Sequence, residues 1–288
     1  MLSQHQRHWG VDQWAAFLTN RPLPCMPRSK ALLAERQEQL GELLSARDLA
    51  DIAGADPFLC LLLLREAESR RSQRLEHETT TPLGAVMQLG ADNFRKVMLA
   101  APETDELNAG LAECEARAHI ASRLALRWGA ARADLSPDEV AMAALLSEIG
   151  ELLLWTVAPE LPRAALEAVA SGRAPRSMQA QVDLFGFRFK DLSLKCASIW
   201  HLPALITQLI RGIDNTRANL SRICVDTARH LSAGGPEDPA LPADIAEASQ
   251  LIPGTSLEWL AEQLPDIEEP QVLAIVERAA DLLEPPLH

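Results

Sequence analysis

The first candidates for chemistry in this chain are Ser147, Glu148 and Glu151, close together on one stretch, and His119 upstream of it. Glu148 and Glu151 stand three apart, a spacing that puts two carboxylates on one helix face, where they could hold a hard cation such as magnesium or calcium. Ser147 is a poor ligand for any transition metal. His119 offers an imidazole but has no partner at ligand spacing, and the same holds for His5, His8, His77, His230 and His288. Glutamate is a good surface helix former, so the expectation is a solvated face for Glu148 and Glu151 and a partly buried, hydrogen-bonded ring for His119. No glycine-rich phosphate loop, Gly-x-Ser-x-Gly elbow or His-Glu-x-x-His motif occurs.

The stretch that positions three of these residues, 141–162, is the strongest helix signal in the chain. Wound at 3.6 residues per turn, it puts Leu145, Ile149, Leu152, Leu153 and Thr156 on one flank and Ser147, Glu148 and Glu151 in a short polar stripe. Pro159 and Pro162 end it. The preceding long helix, 107–128, carries His119 and repeats Ala112, Ala116, Ile120, Leu124 and Trp128 before Gly129 closes it.

Further upstream, a short helix over 11–18 with Trp14, Phe17 and Leu18 on its apolar flank is followed by a proline-broken strap at 21–27. Ser29 reads as the N-cap of a helix to about Leu44, Ser45 or Ala46 starts one ending at Gly54, and Asp56-Pro57 opens a leucine-rich one. Thr79 to Pro82 and Gly90 bound another helix, and Asp92 caps the one after it. Downstream lie helices over 161–170 and 178–184, one ending at Arg211 and one over 221–231. His201 reads as a loop or cap residue, and Phe185, Phe187 and Phe189 as core packing beside Trp200.

The clearest boundary is Ser232-Ala-Gly-Gly-Pro236, which divides the chain into a connecting helix (1–20), a helical domain (21–235) and an acidic helical extension (236–288). With no repeat and no convincing strand, the expected fold is all-α.

Four local patterns resemble one family. Leu145-Leu146, Ile149-Gly150 and Leu152 match the signature helix of the HD phosphohydrolase superfamily, Leu-Leu-His-Asp-Ile-Gly-Lys-Leu, and more closely its HDOD (HD-related output domain) branch. Residues 49–57 with the leucine-rich run after them, then Leu83, Val86, Leu89 and Gly90, and finally Gly186 with Trp200, Leu202 and Pro203, are similar to further HDOD patterns. The resemblance implies a multi-helix HD-like bundle with a C-terminal helical appendage. It also implies that the His-Asp metal ligands are lost, since Ser147 and Glu148 stand in their place, and Phe189 and Lys190 where a second Asp-His pair is expected.

By that resemblance the chain is a non-enzymatic regulatory or output module of bacterial signal transduction. It would act through protein contacts with signalling partners, such as an upstream receiver or sensor domain, and need no metal, cofactor or catalytic residue. Two alternatives stay open. One is a phosphohydrolase acting on a phosphate ester or cyclic dinucleotide, with Glu148, Glu151, His119, Asp183 or Asp191 improvising a metal site. The other is a small-molecule sensor whose pocket is lined by His119, Ser147, Glu148 and Glu151.

Composition narrows the setting. The 288 residues hold no apolar run near the ~20 needed to cross a bilayer, the longest being 58–64, and no export signal leads the chain, so a soluble, cytoplasmic protein is expected. Five widely spaced cysteines suit a reducing compartment. A net charge of -13 argues against nucleic acid and anionic membranes as partners. Most of it sits in 236–288, where twelve Asp or Glu face Arg278 alone. Apolar faces in this segment (Leu257, Leu260, Leu264; Val272, Ile275, Val276, Ala279) favour packing in cis, with a homodimer as the alternative. Arg65, Arg70, Arg71 and Arg74 are interleaved with Glu66, Glu68 and Glu76 and read as a charged exposed helix.

Overall fold

Prolines and short polar side chains start most of the helices, because a helix begins with backbone N–H groups that have no internal partner. Ser45, Asp56, Thr81, Asn215 and Ser256 each accept a hydrogen bond from a backbone N–H in the first turn that follows. The structure, a computed structural model, describes Ser3 and residues 5–70, 78–212 and 215–283. Arg71, Arg74, Glu76, His77 and His288 lie outside the described residues.

In chain order the helices are α1 (Val11–Thr19), α2 (Pro27–Leu40), α3 (Ala46–Gly54), α4 (Pro57–Ser69), α5 (Pro82–Leu89), α6 (Ala91–Ala100), α7 (Ala109–Ala130), α8 (Pro137–Leu146) and α9 (Ile149–Val157). They continue with α10 (Glu160–Ala170), α11 (Ser177–Phe185), α12 (Phe189–Ile199), α13 (Ala204–Arg211), α14 (Thr216–Gly234), α15 (Leu241–Leu251), α16 (Leu257–Glu262) and α17 (Glu269–Leu283). Among the described residues the only extended pairing is an isolated bridge between Cys25 and Glu103, so the fold is all-α.

The chain divides into two compact units. One comprises Met1–Ala116 and Leu146–Thr207, the other Arg117–Leu145 and Gln208–His288. In the first unit α1 lies on α12, with Trp14 and Leu18 buried and Asp12 paired to Lys195 at 2.6 Å. The strap over 21–27 is pinned by its backbone, the Cys25 N–H donating to the Pro102 carbonyl at 2.8 Å and the Thr104 N–H to the Cys25 carbonyl at 3.0 Å. Helix α4 is buried along Phe58 to Leu64 and opens to solvent only in its last turn, where Arg70 pairs with Glu66 at 3.8 Å. Helix α9 packs on α12 and α10, and α10 on α11.

In the second unit the core is built from Leu124 and Trp128 of α7, Val140 and Ala144 of α8, Leu220, Ile223 and Cys224 of α14, and apolar faces of α15 to α17. The acidic extension is thus packed into this core. The Trp128 indole N–H donates to the Leu260 carbonyl at 3.3 Å, and Arg132 to the Leu251 carbonyl at 2.6 Å. Gly129 continues α7 where a helix end was expected, and a Cβ there would come within 3.3 Å of Pro137, so the glycine admits the start of α8.

Three other expectations change. Ser29 is not an N-cap, since α2 begins at Pro27 and the Ser29 hydroxyl is buried. Helix α6 begins at Ala91 and takes Asp92 into its first turn, with Gly90 at its cap. The stretch over 141–162 is not one helix, because α8 ends at Leu146 and Ser147 and Glu148 form a turn before α9. By length and mean hydropathy Pro137–Val157 would pass for a membrane span, yet most of it is buried within the protein.

Candidate functional site

Helix α9 is buried on every side, with Ile149, Leu152, Leu153, Leu154 and Trp155 all excluded from solvent. A helix of that kind carries its polar residues into the interior with it. Glu148 is 5% exposed and Glu151 9%, so the expected solvated face does not exist. The Glu148 carbonyl accepts from the Leu152 N–H at 3.0 Å and opens α9, and a Glu151 oxygen faces the Trp155 indole N–H at 3.4 Å.

The turn is fastened to α12 by backbone. A Cβ on Gly150 would fall 2.6 Å from the Phe189 carbonyl oxygen and 2.8 Å from the Ser193 backbone nitrogen, so only glycine permits this approach. The Ser193 hydroxyl accepts from the Gly150 N–H at 2.9 Å, and its single proton faces the carbonyls of Ser147 (3.1 Å) and Phe189 (3.2 Å).

The other candidates do other things. Phe189 is buried and stacks on Phe185, centroids 5.9 Å apart and planes 15° apart, while Phe187 is buried at a tilt to both. Asp183 is exposed and accepts from Gln179 at 2.6 Å. Asp191 is gripped by the Arg188 guanidinium at 2.6 and 2.8 Å, which holds its carboxyl below the usual range. His119 is half-buried on α7 in the second unit, and His201 follows α12 with a left-handed backbone, φ 52°.

Among the described residues no three His, Cys, Asp or Glu side chains converge to hold a metal ion. A hydroxyl and a glutamate at the first pair of positions and a stacked phenyl ring at the second do not fit a transition metal.

A densely bonded polar group of the first unit is Asp56, which is 0% exposed. One oxygen accepts from the Met26 N–H and the Ser29 hydroxyl, both at 2.8 Å, and the other from the N–H groups of Phe58 and Leu59, both at 3.0 Å. Asp56 therefore caps α4 and clamps the start of α2 to it. Burial pushes its carboxyl up against the pull of those donors.

Glu115, on the α7 stripe with Leu111 and Cys114, is 6% exposed, and its Oε1 has no hydrogen-bond partner. Burial first, and Asp56 second, push it up to about 7, while Arg28 pulls the other way. The cap at Asp56-Pro57 is legible in the sequence, but its second grip is not. Glu115 could have been found as the i+4 neighbour of Leu111, a buried position by helical phase.

Residues 26–216 match the HDOD domain family. The chain belongs to the HDOD family. Its HDOD domain holds the Asp56 clamp, Gly150 and the Ser147–Glu148 turn, and the match ends at the start of α14. Among solved structures the chain is similar to the MmoQ response regulator from Methylococcus capsulatus str. Bath, with a TM-score of 0.66 at 20% identity over 86% of this chain and 100% of that one. It is also similar to a virulence factor from Campylobacter jejuni, with a TM-score of 0.66 at 16% identity over 96% of this chain and 99% of that one. At those identities the likeness is one of fold, the all-α HD-like bundle. No curated protein sequence matches the chain.

Proposed function

We propose that this HDOD protein is a non-enzymatic regulatory or output module of bacterial signal transduction, working in the cytoplasm through contacts with signalling proteins. The observation that carries this reading is the Ser147–Glu148 turn. Where the superfamily's metal pair would stand, the chain has a serine whose carbonyl faces Ser193 and a buried glutamate, and the second pair is replaced by a stacked phenylalanine. Hydrolysis by a metal-bound water needs several convergent ligands and an open coordination position. The similarity of fold to a protein described as a response regulator supports an input from a receiver or sensor domain.

The test is metal content of the purified full chain by mass spectrometry, beside hydrolysis of a generic phosphodiester and of cyclic dinucleotides with added manganese, magnesium and iron. The expected outcome is substoichiometric metal and no turnover. Stoichiometric metal with turnover that disappears in Glu148→Ala would overturn the reading and make the protein an atypical phosphohydrolase.

A further inference from the structure

The acidic extension contains a groove that its own packing leaves open. Helix α17 turns Val272, Ile275 and Ala279 into the core of the second unit, and α16 does the same with Leu260 and Ala261. Between the two helices lies a groove of about 330 Å³ lined by Glu258, Glu262, Ile267, Glu269 and Leu273, with the edge of the buried Val272 at its floor. Helical spacing sets this pattern, since Glu258 and Glu262 are four apart on α16, and Glu269 and Leu273 four apart on α17. Leu273 is 56% exposed, a large apolar side chain standing among three carboxylates.

No described cation of the unit pairs with them. Among the described residues Glu258, Glu262 and Glu269 form no ion pair, and the basic side chains of α14 pair elsewhere, Arg217 with Glu139, Arg222 with Asp226 and Glu247, Arg229 with Asp226 and His230 with Asp244. Arg278, the sole cation after Pro236, donates to the Pro239 carbonyl at 3.4 Å, and Arg127 to the Gln263 carbonyl at 3.2 Å. Three like charges around one groove repel one another, and a basic ligand would relieve that repulsion.

We propose that the α16–α17 groove is a docking site for a short basic segment of a partner protein, one that places a single large apolar side chain against Leu273 between flanking lysines or arginines. The volume is at the small end of ligand pockets, roughly 300–1,000 Å³, which suits one anchor side chain. Charge supplies attraction and steering, and the anchor supplies specificity. This inference rests on the reading of the chain as a protein-contact module, whose own failure would appear as metal-dependent turnover and not in peptide binding.

The experiment is fluorescence anisotropy of the full chain with a fluorescein-labelled peptide, Lys-Lys-Lys-Leu-Lys-Lys-Lys, and its control with alanine for leucine. The leucine peptide is expected to bind about tenfold more tightly than the control, the worth of burying one such side chain. Leu273→Ser should abolish that difference, and Glu258→Gln with Glu262→Gln and Glu269→Gln should weaken both peptides about tenfold or more at low salt. These positions are on the surface, so circular dichroism of each variant should match the parent. Equal binding of the two peptides, or a leucine preference that survives Leu273→Ser, would reduce the segment to a non-specific polyanion and overturn the proposal. Sedimentation showing a dimer that Leu273→Ser splits would overturn it too, by making a second copy the occupant.

Discussion

Two polar features sit at helix starts in the first unit, the Asp56 clamp and the Ser147–Glu148 turn, and they diverge in how the chain follows the HDOD pattern. At Asp56 the pattern is kept and every lone pair has work, with four donors on two oxygens. At the turn Ile149-Gly150 is kept and the two residues before it are not. The distinction is physical. Asp56 and Gly150 hold backbone segments together, so the fold depends on them directly, while Ser147 and Glu148 stand where the resembling HD signature has its His-Asp pair.

The comparison predicts unequal costs. Asp56→Ala strands the N–H groups of Met26, Phe58 and Leu59 in the interior and should lower stability by about 4 kcal/mol, read as a shift in the urea midpoint. Gly150→Ala sets a methyl against backbone atoms that no rotamer change can move, and should cost about 3 kcal/mol. Glu148→Gln preserves shape and should cost about 1 kcal/mol. A Glu148→Gln loss equal to that of Asp56→Ala would break the comparison, because the turn would then be as structural as the clamp.

Most helix starts were legible because caps are local chemistry. Ser45, Asp56-Pro57 and Thr81 each announce a helix through a side chain whose partner is two or three residues away. What was not legible depends on partners far along the chain. Ser29 has a cap residue's side chain, but its hydroxyl is drawn to Asp56, 27 residues on. Glu148 and Glu151 have the spacing of a solvated face, and only the burial of α9 from all directions shows that they are inside. The proposed docking groove was half visible, as the charge of 236–288 and the apolar phase of α17. The exposure of Leu273 needed the structure.

Glu115 sharpens the same contrast through pH. Unlike Asp56, it is buried with one oxygen unpartnered, and its carboxyl is raised from the ordinary 4.5 to about 7. A group raised in the folded state favours folding while it stays protonated, so its contribution is whole below 4.5 and is lost as pH rises through about 7. Glu115→Gln should therefore stabilise the chain by about 2 kcal/mol near pH 8, have little effect near pH 4, and flatten the decline between them. Unfolding by urea across that range measures it. An unchanged slope would mean that Glu115 is ionised and solvated at neutral pH.

The smallest expected effect bears on the turn itself. Ser147→His with Glu148→Asp rebuilds the superfamily's pair in a scaffold that still has Gly150 and Ser193 to hold the backbone. Stability should change by less than about 1 kcal/mol, because the carbonyl by which Ser147 meets the Ser193 hydroxyl is one that any residue supplies. The rebuilt pair should still bind no stoichiometric metal and show no turnover. A site needs at least three ligands, and at the second pair of positions Phe189 is stacked on Phe185, with the exposed Lys190, a cation, beside it. Metal content by mass spectrometry after manganese loading decides the matter. Stoichiometric uptake by the double variant would mean that further ligands already wait around the turn, and that the departure from the HD pattern is two substitutions deep and no more.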